Sequence, residues 1–171
     1  EINPLGRLVA KVKTTPIPQE VLRNRTESIA KRIKKPDKYK YHLPKSKKIN
    51  FWFSQRAIIE LCRINRAIEE DDVYDDFSDF MWVCFSSIIR KVSLADPFIP
   101  PPVLLKLSKY EKSKQKYEHL KEHLRRAMEP NLTATFLSTV EKNLERIDVL
   151  NALAAENSKP RAQIIWDDAR H

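Results

Sequence analysis

The stretch "YDDFSDFMWVCFSSIIRKVS", residues 74–93, carries the clearest periodicity in the chain. Phe77, Phe80, Met81, Cys84, Phe85, Ile88 and Ile89 recur at spacings of three and four, which puts them on one face of an α-helix. Asp75, Asp76 and Asp79 lie in its first turns and Arg90 and Lys91 in its last, each where the helix dipole favours that sign. Trp82 and Val83 widen the apolar surface beyond a single stripe. The pattern predicts a central helix, contacted on more than one side.

Downstream, "LADPFIPPPV" (94–103) cannot continue the helix: Pro97, Pro100, Pro101 and Pro102 remove amide donors and fix φ, so a rigid extended strap is expected. A long Lys/Glu-rich helix is predicted over 103–129, with Leu107, Tyr110, Tyr117, Leu124 and Met128 as a narrow apolar stripe. Pro130 ends it and Asn131 can cap the next helix, 132–155, which turns Phe136, Leu137, Val140, Leu144, Ile147 and Ala154 inward. Upstream, "FWFSQRAIIELCRINRAIEE" (51–70) opens with three aromatics and settles into a helix with Ile58, Leu61, Cys62, Asn65 and Ile68 on one face. Residues 16–35 form a thin-faced basic helix around Leu22, Ile29 and Ile33, and 36–50 read as a basic loop.

At 171 residues and 42% hydrophobic, the chain can bury one core. A single glycine, Gly6, against eleven prolines argues against a phosphate-cradling Gly-rich loop and against tight hairpins. Cys62 and Cys84 both fall in apolar helical patterns, so buried free thiols are expected. There is no apolar run near the ~20 residues that span a bilayer and no signal-peptide pattern, so a cytoplasmic protein without membrane contact is expected. The first residue is Glu1 rather than Met, which suggests a piece of a longer protein. Charge is uneven: residues 11–50 hold thirteen Lys/Arg against three acids, whereas 51–100 hold five against nine. A concentrated basic segment is the footprint of a polyanion binder, although a solvated lysine surface looks the same.

The two ends differ from the rest. "AQIIWDDARH" (162–171) delivers Asp167 and Asp168 at the tip of a short strand-like run. A lone strand needs a sheet, so it should join strands outside this chain, with its acids at the edge where open α/β sheets bind ligands. The opening "EINPL" has the same character.

Three stretches resemble bacterial and phage DNA amino-methyltransferases, which act on adenine N6 or cytosine N4: "EINPLGRLVAKVK", "FSSIIRKVSLADPFIPPPV" and "IIWDDAR". The first is similar to the segment after the second Rossmann strand, and the last to a "GDAR"-like strand tip with Asp167 in place of the glycine. The resemblance implies a mainly α fold: a helical bundle inserted in a Rossmann-like methyltransferase domain, with strand pieces only at the chain ends. Residues 1–15 and 159–171 would belong to the cofactor domain and 16–158 to the helical, DNA-binding insertion. It also implies S-adenosylmethionine as cofactor, held in part by Glu1, Asn3, Asp168 and Ala169. The partners implied are double-stranded DNA and the remaining Rossmann segments of the same protein. The family's Gly-rich loop and "SPPY"-type tetrapeptide are absent, so no catalytic residue is assigned and the segment alone is expected to be inactive.

For DNA contact the candidates are Lys31, Arg32, Lys34, Lys35, Lys45, Lys47 and Lys48 in the basic segment, and Arg90, Lys91 and Ser93 at the exit of the central helix. Dipole compensation is the ordinary role for the last group. "HLKEH" (119–123) matches a zinc-protease pattern, but the surrounding lysines oppose a dication, and no metal is assigned. Two other readings remain: a non-enzymatic helical nucleic-acid-binding module, and a protein-interaction bundle docking through Phe51, Trp52 and Phe53.

Overall fold

The computed structural model describes residues 3–35, 46, 48–71, 73–100 and 102–156. These residues are mainly helical: α1 (Pro4–Thr14), α2 (Gln19–Lys34), the single turn α3 (Ile49–Trp52), α4 (Gln55–Glu69), α5 (Asp76–Ile89), α6 (Lys114–Met128) and α7 (Leu132–Glu156). Helices α1, α4, α5 and α7 begin where a side chain deals with the first free amides. Pro4 stands at the start of α1, and the Asn3 side chain accepts from Leu5 N at 3.0 Å. Ser54 accepts from Ala57 N at 3.2 Å, Asp75 from Ser78 N at 3.0 Å, and Asn131 from Ala134 N at 3.1 Å. The Glu60 carboxylate reaches from α4 to accept Leu132 N at 2.8 Å, so the start of α7 is fixed from a neighbouring helix.

Helix α5 is the hub, packed against α1, α4 and α7. Phe77, Phe80, Met81, Cys84 and Ile88 are fully buried, with Trp82, Val83 and Phe85 half-buried around them. Helix α7 runs antiparallel to it: Thr135 lies near Ser87 and Lys91, Asn143 Nδ2 is 3.5 Å from Cys84 Sγ, and Leu150 lies near Phe80. Helix α1 is antiparallel too, since Val9 faces Val83 and Ser87 while Lys11 meets Asp79 and Asp76. Its Val12 is buried in the helical core. Helix α2 packs its expected residues, Leu22, Ile29 and Ile33, against α4 and α7. Asn151 clamps the α1–α2 link, donating to Ile17 O at 2.8 Å and accepting from Ile17 N at 3.1 Å.

The expected helix over 103–129 is corrected: α6 begins only at Lys114, after an extended run and a 3-10 turn, Leu107–Tyr110. Pairing with the strap wins over helix propensity. Asp96 N donates to Val103 O at 2.8 Å and Leu105 N to Leu94 O at 3.0 Å, around a bridge between Ala95 and Leu104. The Asp96 carboxylate then accepts from Phe98 N at 3.0 Å and from the Tyr110 hydroxyl at 2.6 Å. The buried side of α6 is Leu120 and Ala127, whereas Met128 is 54% exposed. Ala154, expected inward, is exposed on the last turns of α7. Beyond that bridge, no strand is found among the described residues; the strand expected at the C-terminus lies outside them. No described helix is long and apolar enough to cross a membrane.

Candidate nucleic-acid interface

The basic segment and the aspartates of the α4–α5 connection neutralise one another at one end of the bundle. Lys11 pairs with Asp76 at 3.0 Å and Asp79 at 2.6 Å. Arg25 Nε donates to Asp71 at 2.8 Å, a second arm of its guanidinium meets Asp75, and the group lies 4.2 Å from the Phe77 ring centre. Arg32 joins Asp71 at 3.1 Å. Burial pushes the Asp75 carboxyl upward, but the Ser78 amide and Arg25 outweigh it, so Asp75 stays below the ordinary 3.8. Asp79 and the Asp76 charge hold the Lys11 ammonium above its usual value.

Toward the opposite end of α5, cations predominate among the described residues. Between α1, α5 and α7 lies an open groove of about 730 Å³ whose charged lining is Lys13, Lys91, Lys142 and Arg146. Among the described residues no carboxylate lines it; the remaining polar groups are hydroxyls and an amide, Ser86, Ser87, Thr135, Ser138, Thr139 and Asn143. The stripe comes from α7, where residues 135, 138, 139, 142 and 146 recur on one face. Asn143 Oδ1 accepts from Arg146 Nη1 at 2.9 Å, which steadies the guanidinium. A second groove, about 640 Å³, shares Ser87, Lys91 and Thr135 with the first and adds Arg90, Arg125 and Arg126 beside the start of α7. One acid, Glu129, lines it. Glu122 binds Arg125 at 2.7 Å, and Arg126 lies 3.4 Å from it. Cations, hydroxyl donors and a helix N-terminus are the three classes of group that hold phosphates.

The sequence candidates separate accordingly. Lys91 is exposed and lines both grooves; Arg90 lines the second, its Nη2 donating to Pro97 O at 3.3 Å. The Ser93 hydroxyl instead donates to Arg90 O at 2.9 Å, and Ser93 itself is buried. Arg32, partly exposed, is engaged with Asp71. Lys31, Lys34, Lys35 and Lys48 are exposed at the end of α2 and the start of α3. Lys45 and Lys47 lie outside the described residues, as do Glu1, Asp168 and Ala169. Asn3 is the cap of α1. His119 packs on Phe98 at 5.8 Å between ring centres, and His123 Nε2 lies 3.0 Å from Ser93 O, so both rings serve to seat the strap. Lys13, Lys142 and Arg146 escaped sequence reading. The hydroxyl-and-base stripe of α7 was a usable signal, but Lys13 joins it only through packing.

No protein-family model and no solved structure matches the chain. A match is found to the "Type II methyltransferase M.MvaI" of Kocuria varians, 34% identical over 100 residues. It takes in 54% of this chain and 22% of that protein, so the chain spans a minor part of the relative's length. Over that part, this helical chain is related to a Type II methyltransferase.

Proposed function

We propose that the chain is the helical, DNA-gripping part of a Type II DNA methyltransferase, with the phosphate backbone lying along the two grooves that meet at Lys91. The observation that carries this reading is the carboxylate-free groove of Lys13, Lys91, Lys142 and Arg146, in a chain similar to such an enzyme over half its length. Surface cations that no acid neutralises bind polyanions by releasing counterions; the hydroxyls beside them add donors to phosphate oxygens. Lys31, Lys34, Lys35, Lys45, Lys47 and Lys48 would extend the contact along the duplex, while Arg32 and Ser93 maintain the fold.

For the whole protein the reading is transfer of a methyl group from S-adenosylmethionine to an exocyclic base amine, adenine N6 or cytosine N4, as part of a restriction–modification pair. Such an enzyme rotates its target base out of the duplex, which requires a firm hold on the flanking phosphates. Glu1, Asn3, Asp168 and Ala169 are proposed for the cofactor site on sequence grounds, with the remaining Rossmann segments completing the sheet.

Titrating duplex DNA at rising salt tests the reading. The four cations of the first groove alone predict a log–log slope of about −3.6, steeper with each further contact, and Lys91→Ala should flatten it by about 0.9. A salt-independent affinity, or a Lys91→Glu variant that binds as the parent does, would refute it.

A further inference from the structure

The histidines of α6 do more than seat the strap. His119, exposed, and His123, half-buried, both line the second basic groove. The turn after α5 brings Arg90 and Lys91 to the same groove, and α6 itself adds Arg125, Arg126 and Glu129. From α7 it takes Asn131 and Thr135, neither of them charged. The other charged groups beside the strap are engaged. Glu122 holds Arg125 and Arg126, Asp96 accepts from the Tyr110 hydroxyl, and Lys116 stands 5.9 Å from the Phe98 ring centre.

The contact with Ser93 decides the chemistry of His123. A carbonyl oxygen can only accept, so Nε2, 3.0 Å from Ser93 O, carries a hydrogen and donates it. The neutral ring then has its remaining lone pair on Nδ1. A lone pair offers nothing to a phosphate oxygen. A proton on Nδ1 turns that nitrogen into a charged donor and leaves the bond to Ser93 O intact. The strap thus holds the ring in place while its second nitrogen changes from acceptor to donor.

We propose that His123 is a phosphate contact of the second groove and binds in its protonated form, so that DNA binding draws one proton from solvent onto Nδ1. The inference rests on the nucleic-acid reading above and adds a regulation to it: the grip tightens as pH falls. Histidine changes charge between about pH 5 and 8, a range in which the phosphodiesters of DNA stay charged.

Calorimetric titration of the full chain with duplex DNA near pH 6.5, in two buffers of different ionisation enthalpy, counts the protons taken up. The parent should take up more than His123→Gln, whose amide keeps a donor for Ser93 O but cannot be protonated. Between about pH 8 and 5.5 the salt slope should steepen by about 0.9 more in the parent than in that variant. His123→Arg, charged at every pH, should lose the same increment and bind more tightly than His123→Gln at about pH 8. His119 and the other histidines are common to all three proteins, so the difference isolates His123. A parent that takes up no proton overturns the proposal without recourse to any variant. Equal proton uptake in the parent and a variant of parental helix content overturns it too, and in both cases a persisting salt slope leaves the grooves as the phosphate site. If the slope is absent at every pH, the nucleic-acid reading fails and this inference goes with it.

Discussion

Asp71 shows how one side chain joins two elements. With 11% of its side chain exposed, it receives Arg25 and Arg32 from α2 at the end of α4. Removing it leaves the Arg32 guanidinium partly buried without its counter-charge and Arg25 with Asp75 alone. Asp71→Ala should therefore lower unfolding stability by about 2 kcal/mol, whereas Lys31→Ala, on the exposed face of the same helix, should stay within about 0.5 kcal/mol. Denaturant titration of the two variants checks this. The cysteines offer a second residue-scale test. Burial pushes the Cys84 thiol up to about 12, against a weaker opposite pull from the Asn143 amide. Burial also raises Cys62, but that residue is half-buried and lines a shallow apolar groove between α4 and α5. A thiol reagent should modify Cys62 in the native protein and reach Cys84 only on unfolding, and Cys62→Ser should abolish the native reaction.

Among the elements, α5 depends most on its first turn. Asp75 caps it and pairs with Arg25, and the lowered carboxyl value fixes the sign of the pH effect. A depressed carboxylate stabilises the fold above its ordinary value of 3.8 and loses that contribution as pH falls through the lowered value. Asp75→Asn keeps a capping oxygen but removes the charge, so its stability profile should be flatter than the parent's on the acid side. Asp75→Ala should lose about 1 kcal/mol further at neutral pH. Thermal unfolding at a series of pH values separates the two. The strap is the element least legible in the sequence. Its prolines excluded helix over 94–103, but Val103–Leu105 had no local signal for pairing back on Leu94–Asp96. The decisive partner is the buried carboxylate of Asp96, whose hydrogen bonds reach Tyr110 at 2.6 Å.

For the whole molecule, the distribution of charge matters more than its net value of +9. Lys11, Arg25 and Arg32 belong to the most basic stretch of the sequence, yet in the fold they face aspartates. Lys13, two residues from Lys11 in that same stretch, instead converges with Lys91, Lys142 and Arg146, the last two from a helix with no special basic character. The periodicity of residues 74–93 was enough to specify the central helix, because an apolar face at period 3.6 has one low-energy arrangement, buried among other helices. Caps at Asp75 and Asn131 were equally readable, since they act on amides three residues away. By itself, then, the sequence determined a helical class, its central element, most inward faces and a basic balance. Tertiary structure alone decided which cations are neutralised and which gather in an acid-free groove, and where the strap closes over Trp52. Those outcomes rest on contacts between residues far apart in the chain, and no local pattern of hydropathy or charge encodes them.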